Sequence, residues 1–146
     1  MDMPIGISIN GGEEEKIMDE EARIATAHGM FDALGRGDRE GVLAAVTDDA
    51  VVWQNYDDRE KPFSERIDGL MRASRVSTGF RYADRRYLIL PDGLLLQHRL
   101  QGSVLDGESF DAPIIVRAFL RDGRLSRFEE YFDQKALAPL YAAMRQ

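Results

Sequence analysis

Glu130 lies in the stretch FEEYFD with a phenylalanine two residues away on each side, Phe128 and Phe132. Side chains alternate between the faces of a strand, so Phe128, Glu130 and Phe132 share one face, while Arg127, Glu129, Tyr131 and Asp133 take the other. A carboxylate among apolar neighbours is costly unless it is paired or hydrogen-bonded, so a core-facing Glu130 requires a partner. Arg99 is the cation available, on a stripe with Leu95, Gln97 and Gln101; Leu94, Leu96, His98 and Leu100 form the opposite face. Two readings stay open: a structural ion pair or two solvated side chains, and a catalytic base held in place by an arginine. A second stretch, VVWQNYDD at 51–58, brings Val51, Trp53 and Asn55 to one face, where an indole and an amide could position water or a substrate oxygen.

Several elements must place these residues. From Glu13 the pattern is helical, with Ile17, Ile24, Phe31 and Leu34, joined by Met18, Ala25 and Met30, on one apolar stripe. GRGD stops that helix: Gly35 and Gly37 suit a left-handed end, and Asp38 can cap a second short helix carrying Val42, Leu43 and Val46. TDDAVVWQNY reads as a strand, and Ser64 can cap a third helix over about 64–78 with Ile67, Leu70, Met71 and Ser74 on one side. Residues 80–90, 94–104, 110–121 and 124–133 are strand-like and separated by turn sequences, and a last short helix is expected at about 134–144. Helices followed by an antiparallel meander predict an α+β domain over 13–146, its curved sheet wrapping its own helices, behind a flexible N-terminal arm at 1–12.

Other residues carry less. His98, on the leucine-rich face, reads as a surface or interface histidine more readily than a catalytic one, and His28 as packed or capping. These are the two histidines in the chain, and with no cysteine a metal site would need carboxylates alone, so no metal is expected. Asp57 and Asp58 precede the charged run REKPFSER, most simply a solvated loop, with a place at a pocket mouth as the alternative. No G-x-S-x-G, phosphate-cradling loop or G-x-G-x-x-G occurs, which leaves serine hydrolase and dinucleotide readings without support, and no cofactor is expected.

The helix, its GRGD stop, the DDAVVWQN strand and the ending DGRLSRFEEYFD together resemble the SnoaL-like, nuclear transport factor 2-like superfamily over about residues 14–141. That resemblance implies a cone of helices and curved sheet around a pocket, a frame that carries isomerases, hydrolases, cyclases and binding proteins. Within it the pattern is most similar to the limonene epoxide hydrolase branch. On that pattern Asn55 and Glu130 fall where an Asn and a base Asp hold the attacking water, with Trp53 in place of a Tyr. Arg99 matches the linking Arg, and Gln101 takes the place of the acid Asp. Gln101 can donate a hydrogen bond but no proton, and Glu130 is one methylene longer than Asp, which puts epoxide hydrolysis itself in question. Met30 and Phe128 are expected on the pocket wall. The ketosteroid isomerase branch fits worse: Met30, Gln54 and Arg117 stand where its base and oxyanion residues belong.

A net charge of −7, with no basic run to offset it, argues against a nucleic acid partner. The N-terminal stretch has no basic region followed by an apolar one, and no run reaches the roughly 18 apolar residues of a membrane span, so a cytoplasmic protein without membrane contact is expected. Two function classes remain. One is a small enzyme acting on an apolar oxygenated molecule by acid/base or water-mediated chemistry (hydrolase, isomerase or cyclase); the other is a protein that binds such a small ligand without turning it over. Leu94, Leu96 and Leu100, set opposite Arg99, predict a second apolar face covered by a homodimer partner.

Overall fold

A computed structural model describes residues 11–146, with side-chain surroundings from Asp19 onward. Residues 1–10 of the expected arm lie outside the described residues, as do the side chains of Ile17 and Met18. The first helix, α1 (Gly11–Gly35), is followed by α2 (Arg39–Ala44), β1 (Val46–Gln54), β2 (Arg59–Pro62) and α3 (Phe63–Arg75). Four long strands then run as β3 (Ser77–Leu90), β4 (Gly93–Val104), β5 (Ser109–Arg121) and β6 (Arg124–Tyr131), before a 3-10 turn at Gln134–Leu137 and α4 (Ala138–Met144).

The α1 stop forms as its sequence implies. Gly37 takes the left-handed φ of +72°, and the Asp38 carboxylate accepts from the Gly41 backbone N–H at 3.0 Å. Met30, Phe31 and Leu34 are buried, whereas Ala25 and Leu43 are exposed, and Val46 already belongs to β1. The expected Ser64 cap is displaced: α3 starts at Phe63, directly after Pro62, with no side-chain cap. Its chain enters from β2, a four-residue charged edge strand that the sequence reading took for a loop. Charge along so short an edge is what hides an edge strand, since it discourages further pairing.

Six strands form one sheet in the order β2-β1-β6-β5-β4-β3, with β1 parallel to β6 and every other pair antiparallel. Two register shifts in β3, at Thr78/Arg81 and Ala83/Arg86, coincide with left-handed Gly79 and Asp84 and bend the sheet. At the β5–β6 turn Asp122 and Gly123 are both left-handed, as a two-residue hairpin requires. The α+β cone expected from the sequence is therefore present, its concave face packed on α1 and α3.

The register fixes which residues face inward. Leu94, Leu96, His98 and Leu100 are buried on the concave face, opposite Ala118, Val116, Ile114 and Ala112 of β5. This corrects the expectation of a second uncovered leucine face. The helices of the same chain cover these leucines, which removes the observation on which the homodimer rested. Among the described residues no helix is long and apolar enough to cross a membrane.

Candidate active site

The parallel pairing of β1 with β6 sets Val52 beside Phe128 and Gln54 beside Glu130, all on the concave face. Glu130 thus faces the core as expected, but its strand neighbour is Gln54, not Trp53 or Asn55. Gln54 is 2% exposed. Its Nε2 donates to Glu130 Oε1 at 3.0 Å, and its Oε1 accepts from the Tyr56 hydroxyl at 2.7 Å. A carboxylate can only accept, so the amide has one sensible orientation, and Tyr56 locks it from the far side.

The cation for Glu130 comes from α3. Arg66 Nε lies 3.8 Å from Glu130 Oε1, with the two side chains 23% and 16% exposed. Burial opposes the Arg66 charge, but the Glu130 carboxylate and then the Tyr82, Tyr141 and Tyr56 phenols outweigh it, so the pKa is raised and the guanidinium stays charged. Glu130, Arg66 and Tyr82 border a cavity of about 10 Å³, close to the room one water molecule needs. Its apolar wall includes Met30, Phe31 and Phe63, and Phe128 stacks on Phe63 with centroids 5.0 Å apart. Met30 and Phe128 both line this cavity.

Two phenols and an imidazole complete the interior. Burial pushes the Tyr82 phenol up, and burial pushes Tyr141 up to about 12, so both remain protonated donors at neutral pH. His98, expected near a surface or interface, is instead 4% exposed, stacked on Tyr82 at 5.0 Å and edge-on to Phe31 at 4.9 Å. Neither ring nitrogen has a hydrogen-bond partner among the described residues, and burial, followed by the charge of Arg85, lowers its pKa to about 3. The histidine is held neutral.

The remaining expected site residues stand elsewhere. Arg99 projects from the opposite face of β4, where its Nε donates to Asp111 Oδ1 at 2.8 Å. Gln101, paired with Asp111 across β4 and β5, shares that outer face. Arg99, Ile115 and Tyr131 border a separate outer cleft of about 720 Å³. Trp53 packs on Tyr131 with centroids 5.2 Å apart and donates its indole N–H to Asp58 at 2.7 Å. Asn55 Oδ1 accepts from the Phe132 backbone N–H at 3.1 Å, so it anchors the end of β6 without reaching the Glu130 carboxylate. Asp57 is held by Lys61 at 2.7 Å. The constellation implied by the epoxide hydrolase pattern is therefore divided between two faces of the sheet, because the leucine stripe of β4, not its polar stripe, turns inward.

Sequence reasoning missed Arg66, Gln54 and Tyr56. A signal for Arg66 existed: at i+3 from Phe63 and i−4 from Leu70 it falls on the apolar face of α3, where a guanidinium is out of place.

No family model matches the sequence, and no curated protein matches it. Solved structures do share its fold. A candidate polyketide cyclase from Xanthomonas campestris pv. campestris superposes with a TM-score of 0.71 at 16% identity, covering 84% of this chain and 98% of that one. An NTF2-like protein from Burkholderia xenovorans LB400 gives 0.65 at 18%, covering 82% and 95%. TerC, co-crystallised with polyporic acid, gives 0.67 at 17%, covering 86% and 99%. At such identities the likeness establishes the fold: this chain has the nuclear transport factor 2-like cone, with its charged pair at the narrow interior.

Proposed function

We propose that this protein is an acid/base enzyme of the cyclase or isomerase type, which takes a proton from carbon beside a carbonyl of an apolar oxygenated substrate. One observation carries this reading: the Glu130 carboxylate stands on the wall of an apolar cavity, oriented by Gln54 through Oε1, with no described side chain donating to Oε2. Oε2 is the proton acceptor. The electron pair left behind moves onto the carbonyl oxygen, and the Arg66 guanidinium and the Tyr82 phenol are the donors on that wall able to stabilise it. The fold neighbours that include a candidate polyketide cyclase support chemistry of this class, and TerC, co-crystallised with polyporic acid, supports a small organic ligand for this fold.

A cavity of about 10 Å³ does not admit such a molecule unless side chains move. Arg66 makes no hydrogen bond that would resist this. The second reading, ligand binding without turnover, is favoured by the neighbours of Glu130 being an amide, a guanidinium and a phenol, with no second carboxylic acid beside it among the described residues. Deuterium uptake into 4-phenylbutan-2-one, followed by proton NMR, separates the two. Enzyme-dependent exchange that falls at least about 100-fold in Glu130→Gln supports catalysis. Trp53→Phe and Arg99→Gln, on the other face, should leave the rate within twofold. Binding without exchange favours the second reading, and exchange indifferent to Glu130→Gln rejects Glu130 as the base.

A further inference from the structure

Six arginines are at least partly withdrawn from solvent: Arg23, Arg66, Arg85, Arg99, Arg117 and Arg127. Five of them donate hydrogen bonds. Arg23 reaches the Leu90 carbonyl at 2.7 Å, Arg85 the Asp32 carboxylate at 2.6 Å, Arg99 Asp111 at 2.8 Å, Arg117 the Ala118 carbonyl at 2.8 Å and Arg127 Glu129 at 2.9 Å. Arg66 alone of the six makes none among the described residues. Its Nε is buried without an acceptor, and its nearest carboxylate oxygen, 3.8 Å away, is already bound by Gln54.

A guanidinium presents five N–H donors in a planar fork, and leaving them unmade in a withdrawn position is unfavourable unless something else fills them. Water could satisfy the tip, but Nε lies against the cavity wall with no protein acceptor. Glu130 balances the Arg66 charge at 3.8 Å but takes none of its hydrogen bonds, and a withdrawn donor left unmade in this way, on the wall of a cavity, points to a partner that enters the cavity. The fork geometry narrows the partner further, because two parallel N–H donors match two coplanar oxygens sharing a negative charge.

We propose that Arg66 is the recognition residue for an anionic, planar oxygen pair on the substrate, either a carboxylate or an enolised 1,3-dicarbonyl, attached to an apolar body that fills the phenylalanine-walled cone. The inference rests on the reading of the Glu130 cavity as the substrate site. It adds a substrate class to that reading: acids, not neutral ketones, are the preferred occupants. Such a ligand meets Arg66 with its oxygens and presents the adjacent carbon toward Glu130, whose own charge keeps the anion from settling on the wrong side of the cavity.

The test compares phenylacetate with its neutral isostere phenylacetamide, by calorimetric or NMR titration of the whole chain at pH 7.5. Phenylacetate should bind at least about tenfold more tightly to the unaltered protein. Arg66→Met should bring the ratio close to one, and Arg66→Lys, which keeps the charge but not the fork, should leave an intermediate preference. Glu130→Gln should preserve or raise the ratio, because it removes a like charge from the anion's surroundings. Should Arg66→Met fail to fold, the Arg66→Lys ratio still decides: a preference equal to that of the unaltered protein overturns fork recognition. A second pair, 1-phenylbutane-1,3-dione at pH 9 against 4-phenylbutan-2-one, tells the enolised dicarbonyl from the carboxylate. A ratio near one in the unaltered protein for both pairs, or a preference that survives Arg66→Met, overturns the inference. The two failures separate cleanly. Anion preference lost while Glu130-dependent exchange persists rejects the anion site alone; preference retained while exchange ignores Glu130 rejects the acid/base reading alone.

Discussion

Replacing Arg66 and Glu130 together, as Arg66→Met/Glu130→Gln, should stabilise the free protein, whereas either replacement alone should destabilise it. At 3.8 Å the pair attracts by about 4 kcal/mol at an effective dielectric near 20. Withdrawing each ion from water costs several kcal/mol, and the pair has no hydrogen bond between its members to close the gap. The unmade Nε–H adds about 1–3 kcal/mol more. Met fills much of the arginine stem's volume, and Gln at 130 can still accept from Gln54 through its carbonyl. The double variant should therefore gain about 1–3 kcal/mol, a rise in melting temperature on the order of 3–10 °C for a chain of this size. Arg66→Met alone leaves Glu130 with only Gln54, and Glu130→Gln alone leaves a guanidinium facing apolar walls, so each should lose about 1–3 kcal/mol; both side chains keep some solvent contact, which holds the loss below that of a fully buried pair. The assay is urea unfolding at pH 7 followed by circular dichroism, with the slope checked for constancy across all four proteins. Additive single effects, or a double variant less stable than either single, would refute the view that this pair is retained for ligand chemistry at the expense of stability.

Acid should destabilise the fold through His98, whose folded pKa of about 3 lies below its ordinary 6.5. Between those values the unfolded chain binds a proton that the folded one refuses, so the contribution is complete above about pH 6.5 and is lost as pH falls toward 3, by up to about 1.4 kcal/mol per pH unit. His98→Phe, which preserves the stack on Tyr82, should flatten that part of the pH–stability curve, and an equal loss between pH 7 and 4.5 in both proteins would sink the assignment. Gly93→Ala should destabilise by roughly 3 kcal/mol or more, because the added Cβ would come within 2.0 Å of the Ala118 carbonyl oxygen, backbone that cannot step aside. A melting temperature unchanged by that substitution would contradict the β4–β5 register.

Much of this fold was legible because local chemistry and tertiary structure agree. The glycine-rich α1 stop, the hairpin turns and the four long strands each carry turn residues at the positions where the chain reverses. The phase of β1 was not legible. In AVVWQN both alternating sets hold apolar residues, Ala50 and Val52 with Gln54, Val51 with Trp53 and Asn55, so alternation alone cannot say which faces inward. The indole suggested the wrong set. Its N–H is taken by Asp58, a residue placed by the turn into β2, and that four-residue strand is too short and too charged to read. For β4 the pattern did contain the answer, since three leucines at alternate positions are the ordinary sign of a core face. The polar stripe was turned toward Glu130 because Arg99 was the cation at hand for a core-facing carboxylate, and the epoxide hydrolase pattern, in which an arginine lies there, reinforced that choice.

The register between β1 and β6 is what makes this interior a site. A slip of one residue would put Trp53 beside Glu130 and turn Gln54 outward, exchanging the amide that orients the carboxylate for an indole that donates but cannot be locked by Tyr56. The buried Gln54, unpayable by hydrophobic burial alone, is stable inside because Glu130 and Tyr56 each satisfy one end of its amide. Glu130 is in turn tolerable because Gln54 and the α3 cation share the burden of its charge. Of the groups joined to this carboxylate, Gln54 and Arg66, the arginine is the one left without a hydrogen bond among the described residues. Strand pairing determines where the Glu130 carboxylate points, turn chemistry fixes the amide, and the helix supplies a cation whose hydrogen bonds the described residues do not complete; on the reading proposed above, a ligand completes them.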